Sequence, residues 1–442
     1  MITYLKLKNF MSFKEIEFNF KRTEKDVKNL VAIYGENDIG KTNFVKAFSF
    51  LKDSIDALVQ KITFDDLSNM SVAAVNEINI KRLFDYMPMI LKYARTIDCN
   101  DLTEIEYGFE IDGNEGYYLL KFDDSIKYEK LYYKINVNKG IIFEIKNNNS
   151  QINSDLNNNV FISKDYKEEV FSQIQRFWGK YTLLAILKKE RKEKNKTFIN
   201  NNLNKTIFEV IDYFDSINVY TNDKINAENG TSISEGIIAK KQVKKLDSYE
   251  EFLREFFIQI YSNVVDVYYK REEKEKDLIK YTLFFRKRMS SKLIDIEYRN
   301  ESTGTKKLLK EFDSILGVLD GKTEIVDEID SNIHDLLMNA IINSLQDEIT
   351  GQLIFTTHNT LLMETLDKTN IYVIVSDYED NKEANCIADY DYKVQKNNSI
   401  RNLYLKGFFG GVPSINDIDF SVIKEEIESD KLKGEDDGSK ED

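Results

Sequence analysis

Residues 35–42 read GENDIGKT, which fits G-x-x-x-x-G-K-[ST], the spacing of a loop that cradles nucleotide phosphates. Both flanks suit that role. Residues 31–34, VAIY, form a short apolar run of the kind found in buried parallel strands. Beyond the loop, Phe44, Val45, Ala47, Phe48 and Leu51 recur at helical spacing, so a helix opens there. Backbone N–H groups of the Gly-rich turn and the positive end of that helix suit phosphate oxygens. Lys41 is expected to reach the β- and γ-phosphates and Thr42 to ligate Mg2+; Gly35, Asn37, Gly40 and Asn43 complete the expected nucleotide-holding set.

A second cluster lies nearly the whole chain away. In TEIVDEID, 323–330, an apolar strand ends in two acids. Asp327 is placed to hold Mg2+ through water, and Glu328 to polarise an attacking water as general base. An ordinary buried strand ending in solvated acids looks the same, and the pairing with Lys41 is what gives the motif weight. His358 ends the next apolar strand, QLIFTTHN, where it can donate to a γ-phosphate or simply cap the following helix. His334 follows the acids and faces either a partner subunit or solvent. Just upstream, NESTGTKKLL, 300–309, places a Ser-x-Gly turn at a helix start: a helix cap, or a second anion-binding N-terminus.

These residues need elements to carry them. TYLKLKNF, EIEFNF and NLVAIYG read as strands leading into the loop, and a helix runs from there to about residue 59. IEYGFEIDGNEGYYLLKF reads as a hairpin turned at Asp112-Gly113-Asn114, with strands to follow at KLYYKINV and GIIFEIK. Residues 146–159 read as an exposed polar loop, and 222–245 as a mobile one. Two stretches on either side of that mobile loop, from EEVFSQIQRF to KKERKEK and from SYEEFLREFF to VVDVYYKREEKEK, show helical periodicity. Strands YTLFFRKR and KLIDIEYR, then TEIVDEID, helix SNIHDLLMNAIINSL, strand QLIFTT, helix NTLLMETL and strand IYVIVSD follow, a βαβαβ order that implies a parallel sheet. The expected organisation is an N-terminal lobe over 1–163, a helical insertion over 164–276, a C-terminal lobe over 277–423 and an acidic, disordered tail over 424–442.

Composition bounds the rest. The chain has 442 residues, 42% hydrophobic and 31% charged, as soluble globular proteins do. No apolar run approaches the roughly 18 residues of a membrane span, so no membrane partner is expected. Cys99 and Cys386 form no metal or disulfide pattern, which suits the cytoplasm. Net charge is −14, of which residues 425–442 supply −6; a surface coated for nucleic acid is not described by that balance. The cluster KKERKEKNK, 188–196, is either a local phosphate-backbone contact or a solvated helix end, given the interleaved Glu190 and Glu193.

The ordered set GENDIGKT, ESTGTKK, IVDEID and TTHN resembles an ABC-type ATPase head of the SMC/RecF/OLD group. That resemblance implies an α/β P-loop NTPase, with a mixed N-terminal β lobe and a parallel-sheet core. It implies ATP and Mg2+ as cofactors, and two heads sandwiching two nucleotides. ESTGTKK holds the place of the group's signature, so Ser302, Gly304 and Lys306 are implied to act on the partner's γ-phosphate. SNIHD resembles the D-loop, with Asp335 where relatives often have Pro. NFMSFKE, DEIDSNIH, LIFTTHNTLLM and LYLKGFFGGVPSI further resemble the RloA-like abortive-infection ATPases of anti-phage systems. The implied role is a sensor and scaffold, assembled as a dimer or higher oligomer, controlling a separate toxic nuclease in response to a phage-derived trigger. The alternative is a RecF- or SMC-like DNA-repair ATPase stimulated by DNA. Two positions depart from the group: no Gln lies between Gln60 and Gln151, so the Q-loop residue is unassigned, and Met11 stands where many heads have Arg. Too little chain follows His358 for a fused TOPRIM nuclease, and the acids at 377–380 and 389–391 read as turns.

Overall fold

The computed structural model describes residues 1–68, 86–148, 151–221, 233–274, 277–390, 399–413 and 419–436. Two units divide it, Met1–Gly411 and Val412–Asp442. The first contains the whole candidate site.

Its centre is a six-stranded sheet in the order Asn218–Tyr220, Thr323–Val326, Gln352–Thr356, Leu30–Gly35, Ile371–Ser376 and Lys382–Cys386. The first five run parallel and the last is antiparallel. Leu30–Gly35 is buried along its full length, as a strand covered on both faces must be. Because neighbours run parallel, the residues that follow Gly35, Val326 and Thr356 emerge at one edge of the sheet, the place where open α/β sheets bind ligands.

A second, seven-stranded antiparallel sheet runs from Gln151–Leu156 through Asn138–Asn148, Ile126–Ile135, Asn114–Phe122, Thr103–Ile111 and Ile2–Phe10 to Phe13–Asn19. Its alternating buried and exposed residues present one apolar face. The helix Lys41–Ser68 packs there: Phe44 lies 4.6 Å from Phe18, Phe48 lies 6.0 Å from Tyr107, and the Tyr107 hydroxyl donates to the Ala47 carbonyl at 2.6 Å. Ile33, Ile325, Ile354 and Ile374 of the parallel sheet join the same core cluster, so one continuous core spans both sheets and the helix that starts at the loop.

The hairpin at Asp112-Gly113 forms as expected, with φ of 48° and 73° at the two turn residues and Ile111 paired to Asn114. Several expectations need correction. Residues 146–159 are largely not a loop, because Gln151–Leu156 pairs back on Asn138–Asn148 and its polar side chains face solvent. The first helical stretch is two helices, Lys164–Phe177 and Leu183–Glu193, separated at Gly179, whose φ is +93°. In the second, Val243–Ile260 is helix but Val264–Lys274 is a strand paired with Leu278–Met289. The alternation VVDVYY has period two, which governs once β-branched residues replace the Glu/Leu/Phe helix pattern. Of the loop expected over 222–245, residues 222–232 lie outside the described residues; Glu235–Ala239 is a strand, and Val243 opens a helix. The segment after His358 is a short 3-10 turn, Thr360–Glu364. Helix Ser421–Asp436 occupies much of the tail read as disordered.

Residues 164–276 therefore hold both helices and strands, and Asn218–Tyr220 within them pairs with Thr323–Val326 in the central sheet. No helix among the described residues is long and apolar enough to cross a membrane.

Candidate active site

Each terminus of a buried parallel strand supplies one part of the site. Gly35 closes the central strand with φ of +154°, and a Cβ there would come within 2.8 Å of Ile39 and 3.1 Å of the Ile374 carbonyl. Gly40 has φ of +111°, and its Cβ would strike the Phe13 ring at 2.7 Å. Only glycine allows the chain to curl this tightly beneath a ligand. The loop is braced from the N-terminal hairpin, where Asn43 Nδ2 donates to Ser12 Oγ at 2.8 Å.

Lys41 is buried, and its Nζ donates to the Gly35 and Glu36 carbonyls at 2.8 Å each. Loss of hydration pulls this ammonium below the usual lysine range, against the opposing pull of Glu328, Asp327, Asp330 and Glu36. A desolvated cation facing three carboxylates from a neighbouring loop is arranged to accept further negative charge.

Asp327 and Glu328 leave the strand Thr323–Val326 in different environments. Asp327 is buried; its N–H extends the ladder to the Tyr220 carbonyl at 2.8 Å, and its Oδ1 accepts from Thr356 Oγ1 at 2.7 Å. Thr356 Oγ1 also accepts from the Glu328 N–H at 2.8 Å. One hydroxyl on the adjacent strand thus fixes both acids. Glu328 has a φ of +49°, an unfavourable region for a non-glycine residue, of the kind retained where a side chain must be aimed.

His358 sits exposed at the end of the neighbouring strand. Partial desolvation, then the Lys41 ammonium, lower its pKa, while Asp330, Glu328 and Asp327 oppose them. The structure therefore gathers Lys41, Asp327, Glu328 and His358 into one electrostatic neighbourhood. Asn359 anchors the adjoining turn, donating from Nδ2 to the Asp335 carbonyl at 3.1 Å, and its own carbonyl accepts from the Tyr34 hydroxyl at 3.0 Å.

Ser302, Gly304 and Lys306 stand apart from that group. Ser302 caps the helix Thr303–Leu319, its Oγ accepting from the Thr305 N–H at 3.1 Å, and is exposed. Lys306 Nζ donates to the Arg299 carbonyl at 2.6 Å. Gly304 lies against the turn after the acids, where a Cβ would be 3.0 Å from the Asn332 carbonyl. Their contacts are local, to their own helix, the segment just before it and that turn.

Thr356 and Asp330 escaped the motif reading. Asp330 Oδ1 and Ser331 Oγ are buried without a hydrogen-bond partner, directly after the acid pair. The KGFFGG segment, 406–411, also reaches the loop: Gly411, φ +67°, lies so close that its Cβ would be 3.5 Å from Gly35 Cα. The Tyr404 hydroxyl donates to its carbonyl at 2.8 Å. The acids at 377–380 form a turn, Asp377 Oδ1 accepting from the N–H groups of Glu379 and Asn381. Asp391 lies outside the described residues. Along the basic cluster, Lys188 pairs with Asp56 and Asp215, Lys189 with Glu193, Arg191 with Asp212 and Lys194 with Glu169 and Glu190.

A protein-family profile described as "AAA domain, putative AbiEii toxin, Type IV TA system" matches residues 30–364, from the phosphate-loop strand past His358. The chain belongs to this AAA family. In this AAA protein the phosphate loop, acid pair and post-strand histidine lie at the ends of adjacent parallel strands, and the Ser302–Gly304 turn opens a separate helix. It is similar in structure to the SMC head domain from Thermotoga maritima, at 14% identity and TM-score 0.36, covering 87% of this chain and 98% of that one. An SMC head bound to the C-winged helix domain of ScpA gives 15% identity and TM-score 0.45, over 87% and 96%. An Smc head with an extended coiled coil bound to the C-terminal domain of ScpA, from Pyrococcus furiosus, gives 15% and 0.36, over 87% and 95%. No curated protein matches the sequence.

Proposed function

We propose that this AAA protein hydrolyses ATP with Mg2+ at a site that a second copy completes, and that the cycle controls a separate toxic nuclease in anti-phage defence. The observation that carries the catalytic reading is the convergence of Lys41, Asp327, Glu328 and His358 at one edge of the parallel sheet. The residues fit the cofactor. Gly35 and Gly40 hold a tight turn that a Cβ at either position would break against Ile39 or Phe13, and Lys41 is a desolvated cation. Thr42 and Asp327 are hard oxygen donors suited to Mg2+, which takes its remaining ligands from water and phosphates. Among the described residues no cluster of three His, Cys, Asp or Glu side chains forms a metal cage, as that mode of binding requires none.

An Mg2+ ion held by Thr42 and Asp327 would supply positive charge against that of the phosphates. Lys41 releases one or both loop carbonyls to grip phosphate, and the first-turn N–H groups of its helix add their dipole. Asp327, locked by Thr356, holds its carboxylate at a fixed angle. Glu328 takes a proton from the attacking water, and His358, neutral at pH 7, donates one N–H toward the γ-position. Ser302, the Gly304 backbone and Lys306 belong to the opposite face of the partner's nucleotide.

The chemistry is tested by phosphate release. Wild type should turn over ATP, while Glu328→Gln should bind it and lose roughly 10²–10⁴ of the rate, the usual worth of a general base. Wild-type turnover by that variant would remove Glu328 from its role. The defence role rests on the motif resemblance and the toxin–antitoxin wording of the family description. Co-expression with the neighbouring gene during infection tests it; equal phage yields with and without the pair would defeat it. The ion-paired state of the 188–194 cations favours this reading over DNA repair, which requires ATPase stimulation by DNA that weakens with salt.

A further inference from the structure

At the other end of the central sheet, a polar cavity of about 290 Å³ opens between the N-terminal hairpin and the last two strands. Its buried wall is Lys28, two residues before the phosphate-loop strand and 4% exposed. Lys28 Nζ lies 4.5 Å from the centroid of the Tyr372 ring, donates to the Tyr372 hydroxyl, and lies 3.7 Å from Cys386 Sγ. Among the described residues no carboxylate comes within ion-pairing distance of it. An ammonium taken out of water without a counter-charge is costly.

The other cations increase the imbalance. Arg22, on the exposed rim, is near enough to Lys28 to repel it, and is held only loosely, 3.6 Å from Asp26 and 3.5 Å from Asn370 Oδ1. Lys21 also lines the cavity and pairs with Glu115 outside it. Two acids line the cavity: Glu17 is paired with Lys6 at 3.2 Å, and Asp389 attracts Lys28 from beyond ion-pair range. Lys28, with no ion-pair partner among the described residues, and Arg22, in a loose and exposed pair with Asp26, border a polar space of this size, and the cations they present suit a small anion.

We propose that this cavity binds a small oxyanion, the phosphate or carboxylate group of a metabolite, between Lys28 and Arg22. The site is separate from the phosphate loop, since Lys28 precedes the strand whose far end is Gly35. Tyr372 lies on the strand Ile371–Ser376, which also touches Gly35, so the two sites share two strands. The charge arrangement is complementary to a small anion, and a guanidinium and an ammonium on one cavity offer both a fork and a point charge to hold it.

Calorimetric titration of the full chain with inorganic phosphate, and separately with malonate, tests the inference. Three variants accompany it: Arg22→Gln on the exposed rim, Lys28→Met, which keeps the apolar stem against Tyr372, and Lys41→Ala in the phosphate loop. The expected result is one binding event with at least one anion that survives Lys41→Ala and weakens ten-fold or more in Arg22→Gln and Lys28→Met. Phosphate alone binding would mark a phosphoryl ligand, and malonate alone a carboxylate; either supports the site. Absence of binding by both anions would overturn it. So would binding that Lys41→Ala abolishes and Arg22→Gln leaves intact. Should Lys28→Met fail to fold, the rim variant alone decides, because Arg22 is exposed and its replacement disturbs no core.

Discussion

Thr356 belongs to no phosphate-loop or acid motif, yet its hydroxyl donates to Asp327 and accepts from the backbone of Glu328. Both acids are thereby placed by a residue on another strand. Thr356→Val keeps the shape and removes the hydroxyl, leaving a buried carboxylate oxygen short of a donor. The expected loss is about 1–3 kcal/mol of stability, read by urea unfolding without nucleotide, with turnover falling alongside. Thr356→Ser should restore both; a Val variant with unaltered unfolding and turnover would show that the acids hold themselves. At this scale the sequence revealed the residues that bear charge. Lys41, Asp327, Glu328 and His358 each have a side chain whose chemistry is written in its type and a strand end whose position is written in the apolar run before it. Thr356 has neither, because one threonine in IFTTHN reads like the next until the register with Thr323–Val326 is known.

Elements were legible where a single period ran through them and illegible where it changed. The strand Leu30–Gly35 and the helix after it each keep one pattern. Residues 243–274 switch from helix to strand within three residues, Tyr261, Ser262 and Asn263, and charged residues on both sides blur the change. The junction between the antiparallel sheet and the helix Leu183–Glu193 was also hidden, because it depends on a buried acid. Glu129 has no exposed surface and accepts from the Tyr118 hydroxyl at 2.8 Å, Trp178 Nε1 at 2.7 Å and the Leu183 N–H, so strand and helix start share one carboxylate. Burial raises its pKa to about 7, outweighing the hydrogen bonds that favour the charged form. The unfolded group, near 4.3, loses its proton first as pH rises. Stability attached to Glu129 is therefore complete below that value and is lost as pH climbs through about 7. The size of the loss is about 3 kcal/mol by linkage. Glu129→Gln cannot ionise, so its stability should vary less between pH 4.5 and 7.5, and the wild-type advantage at low pH should narrow across that range. Urea midpoints at several pH values for both proteins check this; parallel curves would mean that the carboxyl keeps one protonation state throughout.

The two ends of the chain build one head. Leu30–Gly35 pairs with Gln352–Thr356 and Ile371–Ser376, and the Ile2 N–H donates to the Gln352 side chain at 2.7 Å, across 350 positions of sequence. That closure could be inferred from the order of the motifs, since Lys41 without Asp327 does nothing. The proposed contribution of a second copy could not, because no contact within one chain records such a surface. Ser302 lies at an exposed helix start, and its hydrogen bonds stay within its own segment, to Glu301 and Thr305. If each site combines Lys41 and Glu328 of one copy with Ser302 of another, the two kinds of defect should complement. Glu328→Gln and Ser302→Arg should each be inactive alone. In a mixed dimer, one site receives both substitutions and the other receives neither, so activity should return when two inactive preparations are combined. With random pairing half the dimers are mixed and half the sites in those are intact, so the mixture should recover about one quarter of the wild-type rate, provided the sites fire independently. The recovery should require nucleotide and rise with protein concentration, as an association does. A site completed within one chain gives no recovery at any ratio, because every copy then carries its own defect into its own site.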